Sequence, residues 1–133
     1  MAKLNVEDIK IESDQLRGNI LETIESGATH FDESGYQLMK FHGSYQQDDR
    51  DLRKERRKAK LDKAWSFMIR SKMPGGRLTA EQYLLHDDLA EKVGNGTNMR
   101  LTTRQGIQLH GILMGAIKEV IATITRSGLT TWG

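Results

Sequence analysis

From Trp65 to Lys72 apolar and polar residues take turns along the chain. Trp65, Phe67 and Ile69 fall on one side of an extended ribbon, and Met68, Arg70 and Lys72 fall on the other. A period of two over this length predicts a strand with one buried face and one basic face. "PGG" at 74–76 is a turn. The period then changes. "TAEQYLLHDDLAEKVG" predicts a helix that starts on a capping box, Thr79 with Gln82, and stops at Gly94. "NMRLTT" (98–103) and "GIQLHGIL" (106–113) return to the strand period. "AIKEVIATITRSG" (116–128) places Ile117, Val120, Ile121 and Ile124 on one helical face, with Gly128 as its stop. The order is β-α-β-β-α.

That order is the split βαβ of a ferredoxin-like sheet lacking its fourth strand. "LTTWG" (129–133) is placed to begin that strand. A sheet one strand short has an open edge, which proteins usually cover or pair. The fold class expected is α+β: a ferredoxin-like βαββα half-domain over residues 64–133, read as truncated, preceded by an arm over residues 1–63. In the arm, residues 6–26 predict one helix, although Gly18 weakens its middle. Residues 36–42, "YQLMKFH", read as a short strand or an extended arm. Residues 48–63 hold eight bases and five acids with almost no apolar residue, so they predict a solvated helix or loop.

A length of 133 residues suits one domain with a real core, and a formal net charge of only +2 implies no global polyanion partner. There is no cysteine, which excludes disulfides and thiolate metal sites from this chain. No stretch approaches the roughly 20 apolar residues of a membrane span. The N-terminus has no apolar run of the kind a secretory signal needs. The expected compartment is the cytoplasm, with no membrane partner.

Chemistry concentrates on the polar strand faces. Arg70 and Lys72 are two residues apart and share a face. Arg100, Thr102 and Arg104 share one if their strand stays regular, and Gln108 and His110 share one on the next. Any one of these is more often a solvated surface residue than a ligand contact. Together they suit an anion with several carboxylates or phosphates, because arginine grips oxyanions in a bidentate way. His30, His42 and His86 read as structural, and Met68, Met73, Met99 and Met114 as core. "HDD" at 86–88 sits on a helix, where neighbours point apart, so it predicts no metal site. "GNG" at 94–96 is a turn without the spacing of a phosphate loop.

Four stretches in order, "ESDQLRGNI" (12–20), "KFHGSYQQDDRDLR" (40–53), "FMIRSKMPGG" (67–76) and "RLTTRQGIQLHGIL" (100–113), resemble the haemoprotein subunit of assimilatory sulfite reductase. The resemblance implies six-electron reduction of sulfite to sulfide by siroheme coupled to a [4Fe–4S] cluster. It implies that Arg70 reaches the substrate oxyanion. It implies that Arg100, Thr102, Arg104, Gln105, Gln108 and His110 contact siroheme, with Lys72 as a second basic residue. Gln46, Gln47 and Arg50 match the arm motif, as cofactor contacts or braces. Siroheme carries eight carboxylates, which fits a bed of cationic and amide donors. Family members are several times longer. The cluster cysteines and further basic residues lie in their C-terminal half, so this chain would be at most one wall of the site and inactive alone. The implied partners are sulfite, that C-terminal half, and an electron donor, either an NADPH flavoprotein subunit or a ferredoxin.

Two other readings share these residues. One is a siroheme nitrite reductase. The other is a stand-alone sheet that binds RNA or another polyanion. RNA-binding sheets of this type stack bases on exposed aromatics. Trp65 and Phe67 fall on the face opposite Arg70, and residues 106–112 hold no aromatic, so no nucleic-acid partner is expected.

Overall fold

The computed structural model describes residues 5–93 and 98–132. In chain order, helices α1 (Val6–Glu12), α2 (Ile20–Glu25) and α3 (Glu33–Phe41) lead into strand β1 (Ser44–Asp48). Helix α4 (Arg53–Lys58) and strand β2 (Trp65–Ser71) follow, then helix α5 (Ala80–Lys92), strands β3 (Asn98–Leu101) and β4 (Ile107–Ile112), and helix α6 (Ile117–Arg126). The Gly94 stop and the "GNG" turn lie outside the described residues.

The strands form one antiparallel sheet in the order β1-β2-β4-β3. β2 and β3 are therefore parallel with β4 between them, the split βαβ read from the sequence. The edge of β2 expected to lie open is covered. β1 pairs along it from Ser44 opposite Ile69 to Asp48 opposite Trp65. Beyond β1, Lys72 bridges to Thr130, its amide donating to the Thr130 carbonyl at 2.7 Å. The arm and the "LTTWG" segment thus share the place of the fourth strand.

One face of the sheet is the core. Phe67, Ile69, Ile107, Leu109 and Ile112 are completely buried against Leu89 of α5 and Ile117, Val120 and Ile124 of α6. Phe31 and Met39 from the arm join the same cluster, so residues on both sides of position 64 share one core. The register slips between Phe67 and Ile69: Phe67 faces Ile112 while Ile69 faces Leu109. The slip is a bulge at His110 and Gly111 that returns Ile112 to the core face. Helix α5 starts on the expected capping box, with Thr79 Oγ1 accepting from the Gln82 amide and Gln82 Oε1 from the Thr79 amide.

The arm departs from its sequence reading in two places. Residues 6–26 are two helices, not one. Between them Asp14, Gln15 and Leu16 adopt positive φ of 50°, 60° and 68°, a conformation costing roughly 1–2 kcal/mol per non-glycine residue. Ser13 braces this turn, its hydroxyl donating to the Lys10 carbonyl and accepting from the Leu16 amide. Gly18 also has positive φ, and a Cβ there would stand 2.5 Å from Leu38 Cδ1. The break lets α3 pack close. Residues 36–41 are likewise helix, not strand. Asp32 caps α3, accepting from the Gly35 amide at 2.7 Å, and Gly35, Leu38 and Met39 form its buried stripe.

Candidate functional site

The second face of the sheet is polar, and all four strands contribute to it. Residues opposite one another in an antiparallel pair point the same way. Arg70 lies opposite Gln108, and Gln108 opposite Arg100. His110 lies opposite Asn98, Tyr45 opposite Met68, and Gln47 opposite Ser66. Arg70, Gln108, His110 and Arg100 therefore open onto one side of the molecule. Arg100 is exposed and the other three are half-buried.

Two neighbouring clefts divide this face. The first, about 660 Å³, is lined by Arg70, Lys72, Arg104, Gln105, Gln108 and Thr102, with Trp132 at its rim. Among the described residues, three that line it are cations and none is an acid. The second, about 610 Å³, holds Arg100 and His110 together with Gln47, Arg50, Arg53 and the carboxylates of Asp48, Asp49 and Asp51. Asp48 there accepts from Arg53 Nε at 2.7 Å. The eight residues singled out in the sequence fall six in the first cleft and two in the second.

Arg104 does not reach this face from a strand. β3 ends at Leu101, and residues 102–106 form the hairpin loop to β4. The Thr102 amide donates to the Gly106 carbonyl at 2.9 Å, and Thr102 Oγ1 accepts from the Gly106 amide at 3.0 Å. Thr102 thereby ties off the hairpin. Gln105 holds φ at 62° and packs against Gly76. Arg104 is exposed in this loop and lines the first cleft from there.

Gln108 and His110 act as a pair. His110 Nε2 lies 3.0 Å from Gln108 Oε1. An amide oxygen only accepts, so Nε2 carries the proton and the neutral ring keeps Nδ1 as an acceptor. Burial first, and the Arg100 charge second, push His110 below the usual imidazole value.

Tyr45 is the residue the sequence reading missed. Its hydroxyl accepts from Arg70 Nη2, and its ring lies 5.3 Å from the Arg70 Cζ. The signal was present: Tyr45 and Gln47 alternate with Ser44 and Gln46. Placing the strand at 36–42 hid it. Within β1 Gln46 and Gln47 separate by the same parity, and Arg50 lies beyond the strand's end at Asp48. Gln46 braces, accepting from the Phe31 amide at 2.7 Å and donating to its carbonyl at 3.3 Å. Gln47 and Arg50 line the second cleft. His42 Nε2 sits 2.9 Å from the Leu16 carbonyl and meets Trp132 edge-on, while His30 stacks on Trp65 at 4.7 Å.

Residues 61–127 match the model of the nitrite/sulfite reductase ferredoxin-like half domain. The chain belongs to that family. Proteins named sulfite reductase [NADPH] hemoprotein beta-component are among its relatives. That of Anoxybacillus flavithermus is 52% identical over 128 residues, covering 96% of this chain and 22% of the relative. That of Bacillus subtilis is 52% identical over 131 residues, with the same coverage. The chain thus spans about a fifth of the length of these relatives. The solved structure of Mycobacterium tuberculosis NirA protein aligns with a TM-score of 0.71 at 23% identity, over 97% of this chain and 25% of that one. That likeness shows the fold. Among the described residues no helix is long and apolar enough to cross a membrane.

Proposed function

We propose that this chain is the N-terminal part of a siroheme-dependent assimilatory sulfite reductase, supplying one wall of the siroheme and sulfite site. The observation that carries the reading is the first cleft, in which Arg70, Lys72 and Arg104 meet and, among the described residues, no carboxylate lines the cleft to neutralise them. Such a set fits a macrocycle rimmed with carboxylates and a small oxyanion beside it. Bound siroheme, coupled to its cluster, supplies the reducing electrons. The chain has no cysteine, so it offers no thiolate for that cluster. Its own residues grip and orient. Lys72 and Arg104 hold acidic side groups, the Gln108–His110 pair donates and accepts along the middle of the face, and Arg70 takes the substrate oxyanion. Arg100 stands at the far end.

The relatives at 52% identity favour sulfite over nitrite, since sulfite is the substrate in their name. Of the two electron donors the resemblance implies, the NADPH-dependent partner is the one we propose, supported by the NADPH in the relatives' name. The compartment proposed is the cytoplasm.

Titrating the chain with siroheme and following the Soret band tests the reading. We expect weak binding that Arg104→Ala weakens further, by about 1.5–3 kcal/mol if a charged hydrogen bond is lost. Identical curves for the two proteins would remove the role of Arg104. Arg104 is exposed in a loop, so the same substitution leaves the melting temperature unchanged.

A further inference from the structure

We infer that Tyr45 is a positioning residue, holding the Arg70 guanidinium in the cleft without neutralising it. The inference rests on the reading of Arg70 as the oxyanion contact. Three observations carry it. First, Arg70 has no ion-pair partner among the described residues, and its only side-chain hydrogen bond runs from Nη2 to the Tyr45 hydroxyl. Second, the Tyr45 ring lies under the guanidinium, 5.3 Å from Cζ. Third, the backbones are pinned at the same place, the Arg70 amide donating to the Gly43 carbonyl at 2.9 Å.

An arginine meant to bind an anion has two opposed needs. It must be ordered beforehand, because a free side chain loses rotamer freedom on binding. It must also keep its charge, which a carboxylate holder would cancel. A phenol meets both needs: it accepts one hydrogen bond, offers a π face to the cation and carries no charge of its own. Arg70 Nε is enclosed and makes no hydrogen bond among the described residues. With Nε shut in and one Nη2 hydrogen given to Tyr45, the two Nη1 hydrogens and the second Nη2 hydrogen are left to an incoming oxyanion. Tyr45 reaches Arg70 from β1, the strand that replaces the missing fourth one. The arm's edge strand thereby becomes part of the site.

The test uses the chain labelled uniformly with ¹⁵N, with inorganic sulfite as probe. In the wild type, rotation about the Arg70 Nε–Cζ bond should be slow enough to separate its two Nη signals. Tyr45→Phe keeps the ring and removes the acceptor. It should merge those signals and weaken sulfite binding about five-fold, the loss expected for one hydrogen bond, with the backbone amide spectrum otherwise unchanged. Merged Nη signals in the wild type would overturn the inference without any variant. So would a Tyr45→Phe protein with unchanged signals, or one with merged signals and unchanged sulfite affinity. A separate outcome bears on the underlying reading. If Arg70→Gln binds sulfite as the wild type does, Arg70 is not the oxyanion contact, whatever Tyr45 does to it.

Discussion

His110 shows how a single residue carries the character of its site. Burial and Arg100 lower its proton affinity, so the ring is neutral where an unfolded chain's histidine begins to charge. Between the ordinary imidazole pKa and the depressed folded one, the unfolded state binds more protons. Folding stability therefore falls as pH drops through that window and is restored above it. Following the His110 ring protons by NMR should give a midpoint below 6.5, which Arg100→Ala raises without removing the larger effect of burial. A midpoint at or above 6.5 in the wild type would contradict this. An anion seated on the face should pull the midpoint up, since negative charge nearby favours imidazolium.

At the scale of elements, the meeting of arm and C-terminal segment is the joint on which the site depends. Gly43 lies at its centre, with φ of 72° and a position where a Cβ would stand 1.9 Å from the Thr131 carbonyl oxygen. Gly43→Ala should destabilise the chain by at least about 1–2 kcal/mol from backbone conformation alone, with the clash adding to it. Urea unfolding measures the loss, and a midpoint equal to the wild type's would argue against the joint. Elements with strong local signals were legible in the sequence. The alternation at 65–72 and the capping box at Thr79 each fix an element with neighbouring residues. α3 was not legible, because its stripe of Gly35, Leu38 and Met39 begins on a glycine and Tyr36, Gln37 and Leu38 alternate in polarity as a strand does. The turn at Asp14–Leu16 was hidden for a different reason. Its positive φ angles belong to non-glycine residues, and what accompanies them is distant in sequence: His42 on the Leu16 carbonyl and Leu38 against Gly18.

For the whole molecule, the candidate site was legible as a set and less so as a geometry. Parity along a strand placed Arg70, Gln108 and His110 on one face. It could not foresee that β3 ends at Leu101 and delivers Arg104 from a loop, since strand length here is set by the Thr102–Gly106 closure. Parity along 44–47 could have put Tyr45 on this face, but not its contact with Arg70, a partner 25 residues away. Taken alone, the chain should not reduce sulfite. It spans 22% of its relatives and has no cysteine to hold a cluster. Sulfite-dependent oxidation of reduced methyl viologen by the purified chain would overturn that. The proposed function requires that the polar face of the sheet be the one that receives the tetrapyrrole. The direct measurement is a map of backbone amide shifts during a siroheme titration. Changes should gather at residues 66–72, 100–110 and Tyr45 and spare the solvent sides of α5 and α6. Changes centred on those helices, with the sheet face silent, would contradict it.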